Sequence, residues 1–403
     1  MLKKLAKAFA PSRKIPDTLE EPFILEKDDS SSEAGTEFNN SGNITEQGAS
    51  VNQFTKDEFA ALFEACEKGS LEVVNKLIGD NPALLNGATK DGLTALHSAS
   101  LKGHLEVVNK LIDVKPDLLN IVTTKHGFTA LHLASQNNHL EVVKELINGE
   151  HTLLDMVTKD GVTALHSASL KGRLEVVKEL INAEPALLAM VEKGGFTALH
   201  LACFEGHLGV AKELINAKPD LLLDIIVNSG ATALHVACRK GHLEVVKELI
   251  NAKPDLLDMV EKDGFTVLHE ACRGGHLEVV KELLNAKPDL LDIFAKNGAT
   301  ALHEACLGGH KDVIELLFNK GANTKCLTTK NFLGKESIKD SIKKLFPLNP
   351  GMEELIKRIT SDAEIENRNK KLKQTQPSPS LGSLRALSIQ LEHEEDTGYR
   401  GPQ

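Results

Sequence analysis

Apolar and polar positions along this 403-residue chain follow one template that returns every 34 or 35 residues. Thr94, Thr129, Thr163, Thr197, Thr232, Thr266 and Thr300 each open a run Thr-(Ala or Val)-Leu-His, and a Gly-His-Leu-Glu-Val-Val-Lys-like run follows a few residues later. A fixed period of this size marks one supersecondary unit stacked on copies of itself. Within a period, Gly92 permits a turn and Thr94 is a natural N-cap for a helix reaching about Lys102. Gly103 ends that helix. A second helix opens at His104 or Leu105, where Leu105, Val108, Leu111 and Ile112 recur at helical spacing. Pro116 stops it, as Pro82, Pro185, Pro219, Pro254 and Pro288 do in other periods, with Thr152 the exception. Helices this short are marginal alone in water, so stacking must stabilise them.

The template predicts a solenoid over residues 57–330, in which each unit touches only its neighbours. Eight units are expected, near 57–90, 91–125, 126–159, 160–193, 194–228, 229–262, 263–296 and 297–330. In the first, the run Phe59 to Cys66 matches the later helix without its Thr and His, which suits a terminal capping unit. Ile338, Ile342, Leu345 and Phe346, then Met352, Leu355, Ile356, Ile359 and Ala363, predict a C-terminal helical cap over 331–373. Residues 1–56 read as a flexible leader, with a short amphipathic stretch before Pro16 and a Ser-, Asn-, Glu- and Gly-rich remainder. Residues 374–403 read as a disordered tail: a Pro/Ser linker, then Leu381, Leu384, Leu387 and Leu391 at helical steps, then an acidic cluster from Glu392 to Asp396.

The run Asp91-Gly92-x-Thr94-Ala95-Leu96-His97-x-Ala99, followed by Gly103-His104-Leu105-Glu106-Val107-Val108, resembles the repeat of ankyrin-repeat proteins. The resemblance covers about two thirds of the chain in seven consecutive copies. It implies an all-α ankyrin-repeat solenoid of helix-turn-helix units joined by hairpin-like loops. Two departures stand out. Ala or Val replaces the family's Pro after Thr, losing a preset helical φ. Lys-Pro-Asp-Leu-Leu-type segments replace the usual Gly-Ala-Asp-x-Asn turn, which only Gly321-Ala322-Asn323 restores.

Composition narrows the function. Aliphatic side chains must fill the core, because apolar content is 41% with no Trp and one Tyr. The net charge is -10, and residues 57–330 carry 28 Lys+Arg against 37 Asp+Glu, a net of -9. Such an array is a poor match for a phosphate backbone, so no nucleic-acid partner is expected. Cys66, Cys203, Cys238, Cys272 and Cys306 share the slot that holds Ser100, Ser135 and Ser169 elsewhere, a slot for small side chains. No C-x-x-C pair occurs. The longest apolar run, near Leu221–Val227, is too short to span a bilayer, and no secretory core follows the N-terminus. The expectation is a soluble, cytoplasmic, monomeric protein without a cofactor.

Two histidine ladders are the tempting chemistry. His97, His132, His166, His200, His235, His269 and His303 each follow a Thr N-cap by three residues, where a ring nitrogen can bond back to the hydroxyl or to a loop carbonyl, much as in a capping box. The partly positive helix N-terminus disfavours an imidazolium there, so buried neutral rings are expected. His104, His139, His207, His242, His276 and His310 form the second ladder, with Arg173 standing in once. Arg cannot replace a metal ligand, so a turn-stabilising role is expected and no metal site. There is no G-x-x-x-x-G-K loop, and His269-Glu270 and His303-Glu304 lack the second His of a zinc protease. No nucleophile, base and oxyanion donor come together, and no enzymatic activity is expected.

The positions that the template leaves free carry the expected site. Between turn Gly and Thr come Leu93, Phe128, Val162, Phe196, Ala231, Phe265 and Ala299. Late in the first helix come Leu101, Gln136, Leu170, Phe204, Arg239, Arg273 and Leu307. The family resemblance implies that the first set faces solvent at the hairpin base and that the second lines a concave groove. The expected partner-binding residues are therefore Leu93, Phe128, Val162, Phe196, Phe265, Leu101, Leu170, Phe204, Arg239 and Arg273. The four phenylalanines would form an exposed stripe beside Lys125, Lys159, Lys193 and Lys262. The expected function is non-catalytic capture of a protein partner along that groove. A second reading makes the chain similar to ankyrin proteins of intracellular bacteria, some of them exported into host cells. The acidic tail run would then direct export to the host cytosol, where the array binds a host protein.

Overall fold

The computed structural model describes residues 54–218, 223–323 and 361. The expected leader up to residue 53, the cap over 331–373 apart from residue 361, and the tail over 374–403 lie outside the described residues. Among the described residues there are sixteen α-helices in eight successive pairs and no strand, only an isolated bridge between Val260 and Thr266.

The full units share one plan, with Asn138 in place of the left-handed cap glycine in unit 3. The first helix, Ala95–Lys102 in unit 2, begins at Thr94, whose hydroxyl accepts the His97 backbone N–H while the His97 ring reaches back to the cap. Histidine thus fills the place usually held by Glu or Gln in a capping box. Gly103 closes the helix in the left-handed conformation at φ 79°. The second helix, Leu105–Val114, buries Val107, Val108 and Leu111 and leaves its opposite face wet. Pro116 does more than stop it. Pro116–Asn120 is a 3-10 turn that delivers Leu118 and Leu119 into the core. Proline at the first position of such a turn costs no hydrogen bond, because that N–H would be orphaned anyway. Unit 1 differs at its start: its first helix, Lys56–Lys68, runs one turn earlier and takes an ordinary capping box from Thr55 and Glu58.

The first helices are sandwiched between neighbours. Every residue from Ala95 to Ser100 is buried, and so is each equivalent run in units 3 to 8. A helix buried all round needs small side chains where backbones approach, and that accounts for the Ala-Ser and Ala-Cys slots. All five of the slot cysteines are fully buried, and burial pushes the Cys66 thiol up to about 12.

Three sets of bonds tie each unit to the next. Nε2 of His97 meets the Phe128 carbonyl at 3.1 Å, and His132, His166 and His269 meet Val162, Phe196 and Ala299 at 2.9, 3.0 and 3.2 Å. In the second ladder, His139 Nε2 reaches the Leu101 carbonyl at 3.0 Å, and Arg173 Nε makes the equivalent bond to Gln136. That ring also lies over the cap glycine of the preceding unit: a Cβ on Gly103 would collide with the His139 imidazole. At the hairpin tips, backbone N–H groups of Thr124, Lys159, Lys193, Asn228, Lys262 and Lys296 donate to carbonyls of Asp91, His126, Asp160, Gly194, Ser229 and Asp263, each at 2.9–3.0 Å.

Candidate functional site

The expected aromatic stripe is not on the surface. Phe128, Phe196, Phe204 and Phe265 are only 6–9% exposed, and Val162 and Leu170 are buried as well. Leu93 and Leu101 are half-buried and pack against the core. For three of the phenylalanines the cause is the histidine four residues on. Phe128, Phe196 and Phe265 stack edge-on against His132, His200 and His269, with ring centroids 5.5–5.9 Å apart. Each of these phenylalanines thus folds down onto the capping ring of its own unit. Phe204 is covered from the next unit by Lys240, whose Nζ lies 3.9 Å above the ring, a cation–π contact.

Arg239 and Arg273 are not held out toward a partner either. Arg273 Nη1 bonds Glu270 Oε1 at 2.8 Å and its Nε bonds Glu304 Oε2 at 2.7 Å. Arg239 Nη1 sits 3.2 Å from Glu270 Oε2, a charge contact without hydrogen-bond alignment. Glu270 is fully buried, Glu304 nearly so, and the Arg273 guanidinium also lies 4.6 Å over the Phe265 ring. The result is an ion-pair chain across units 6, 7 and 8. Beside it Glu261 is buried with Oε1 unbonded, and burial together with the Glu270 charge pushes its carboxyl up to about 8. In units 3 and 5 the place of Glu270 is taken by Leu133 and Leu201, and the arginine place is taken by Leu101, Leu170 and Phe204 in units 2, 4 and 5.

The imidazoles of His97, His132, His166, His200, His235 and His269 are neutral. Thr94 N–H points at His97 Nδ1 at 3.3 Å, so Nδ1 accepts and Nε2 carries the hydrogen given to the next hairpin. His200 and His235 aim Nε2 at the Ala231 and Phe265 carbonyls with poorer geometry. Burial holds His97, His132, His166, His235 and His269 down to about 4 and His200 to about 3. With the proton on Nε2 and Nδ1 occupied by the cap, these rings have no lone pair to offer a metal. Among the described residues no three His, Cys, Asp or Glu side chains are grouped to hold one, and no helix is long and apolar enough to cross a membrane.

What the surface does present is a different row. Val122, Val157, Val191, Ile226, Val260 and Phe294 occupy one position in six successive hairpin arms and are 39–54% exposed. In each arm the next residue (Thr123, Thr158, Glu192, Val227, Glu261 or Ala295) turns inward and is buried. Extended backbone alternates faces, so the apolar residue and the one two places on share the outer face. Those partners are Thr124, Lys159, Lys193, Asn228, Lys262 and Lys296, all exposed. Leu307, late in the first helix of unit 8, adds an exposed apolar group at 41%. The row was hidden in the sequence because an apolar residue directly after Ile or Met reads as core. The usable signal was the in-out-in alternation in tetrads such as Met259-Val260-Glu261-Lys262.

A family model described as Ankyrin repeats (3 copies) matches residues 43–121, 62–155, 112–189, 151–222, 186–259, 211–293 and 234–328. No curated protein matches the sequence. Capping histidines, left-handed caps, helix pairs and tip-bonded hairpins recur through the matched residues, and the chain belongs to the ankyrin-repeat family.

Proposed function

We propose that this protein is a non-catalytic recognition scaffold that binds a protein partner on its hairpin face. The observation that carries this reading is the row Val122, Val157, Val191, Ile226, Val260 and Phe294, exposed in six consecutive units while the phenylalanines beside it are folded away. An exposed apolar line of this extent on an otherwise well-packed surface marks an interaction site. Covering the exposed half of each side chain is worth about 1 kcal/mol, so the row supplies roughly 6 kcal/mol before association costs are subtracted. The lysines beside it set orientation and select an acidic partner.

The test is Val191→Asp combined with Val260→Asp. Both side chains are half-exposed, so melting should stay within a few degrees of wild type, whereas capture of binding proteins from a lysate should fall sharply. Equal capture by the variant removes the hairpin row from consideration.

A further inference from the structure

The hairpin row supports a statement about what covers it, which rests on reading that row as a recognition surface. Val157, Val191, Val260 and Phe294 each stand two residues before Lys159, Lys193, Lys262 and Lys296 on the outer face of an extended arm. At strand rise, the two side chains are about 6–7 Å apart along the arm. Neighbouring hairpins are bonded tip to tip, and two strand spacings per hairpin put successive copies about 10 Å apart. The face therefore carries two parallel lines, one apolar and one cationic.

Charge makes this edge unlike the remainder of the array. The second helices pair their lysines internally, as Lys144–Glu141, Lys178–Glu175, Lys247–Glu244 and Lys281–Glu278. At the tips Lys90, Lys125, Lys159, Lys193, Lys262 and Lys296 outnumber Asp91, Asp160 and Asp263. Of these, Lys193 lies 3.7 Å from Asp160. On the other side of the row stand Asp155, Asp224, Asp258 and Asp292, of which Asp224 and Asp258 are paired with Lys253 and Lys287, so the cationic line that an acidic segment can use is the one at the tips.

The chain itself contains a segment of matching composition. Leu381, Leu384, Leu387 and Leu391 are followed directly by Glu392, Glu394, Glu395 and Asp396. We propose that residues 381–396 dock on the hairpin row of the same molecule, leucines on the apolar line and carboxylates on the lysines, shielding it until a partner displaces them. Chain length permits this. The 57 residues 324–380 lie between the described array and the segment, and their fully extended length is roughly 190 Å, against about 50 Å for five unit steps of the row.

Tyr399, three residues beyond the acidic cluster, is the single tyrosine in a chain without tryptophan, so its emission reports on the tail alone. The experiment is steady-state Tyr399 anisotropy on the full chain at low salt, with far-UV circular dichroism as the check on folding. A docked tail gives an anisotropy that drops about twofold in Val191→Asp/Val260→Asp and in Lys193→Glu/Lys262→Glu, because a released terminus moves on the nanosecond scale. Adding Glu394→Lys and Glu395→Lys to the lysine-reversed protein should restore the wild-type value. Anisotropy equally low in wild type and row variants overturns the proposal, as does a high value that the row substitutions leave unchanged. A signal that grows with protein concentration, together with a dimer in sedimentation, assigns the row to a second copy and overturns docking in cis. A free tail leaves the row's role in partner capture standing; that role fails separately, if Val191→Asp/Val260→Asp captures as wild type does.

Discussion

Acidification should dismantle the array through its buried histidines. A ring whose pKa is about 4 in the folded protein and 6.5 when unfolded takes up its proton only on unfolding throughout the interval between. The unfolded state binds more protons there, so stability is complete above pH 6.5 and is lost as pH falls toward 4. At pH 5 each such ring has cost about 2 kcal/mol. Five rings lie near 4 and His200 near 3, so the six together remove about 12 kcal/mol, comparable to the whole stability of an ordinary domain. Glu261 works the other way. Its carboxyl is raised to about 8 in the folded state, so its penalty grows as pH rises above the usual carboxylate range and is relieved on acidification. Glu192 and Glu270, whose carboxyls burial also raises, act in the same sense, and three such groups do not offset six rings. Urea unfolding followed by far-UV circular dichroism at pH 7, 6 and 5 measures the slope, which should correspond to about five protons near pH 5. His166→Gln should flatten it by about one proton. A stability that is level between pH 7 and 5, or an undiminished slope in His166→Gln, would refute burial of neutral rings.

Three further outcomes follow from the packing. Phe196→Ala removes a ring wedged between hairpin and His200, and should cost about 3–5 kcal/mol in denaturant titration while leaving the hairpin row in place. Arg273→Leu strips buried Glu304 of its partner and leaves Glu270 only the Arg239 contact, and should cost about 3–5 kcal/mol, with amide exchange accelerating in units 7 and 8 first. Replacing Arg239, Glu270, Arg273 and Glu304 all by Leu, the residue that units 2 to 5 hold at four of their eight equivalent and uniformly uncharged places, should recover most of that loss; failure to recover would mean the ionic chain is itself stabilising. Ser135→Cys fills its slot as Cys203 and Cys238 do and removes a buried hydroxyl that has no hydrogen-bond partner, so stability should rise by about 1 kcal/mol, read from the urea midpoint.

The period, the Thr–His caps, the glycine caps and the small slot were legible along the chain, because each is a contact within a few residues or an identity that stacking repeats. Even the second ladder was readable, since Arg173 can donate to a carbonyl as His139 does but cannot replace it as a ligand. Which side chains meet solvent was not. Phe196 and Val191 differ by five residues and both read as apolar, yet one lies against His200 and the other faces outward. That choice depends on how a hairpin leans on its own cap and on the neighbouring hairpin bonded to its tip. The same holds for Arg239 and Arg273, expected to line the groove for a partner, which Glu270 and Glu304, supplied by the same and following units, engage. Local spacing dictated the module and its stacking; the outer face was decided only when neighbouring modules closed around every side chain that could find a partner among them.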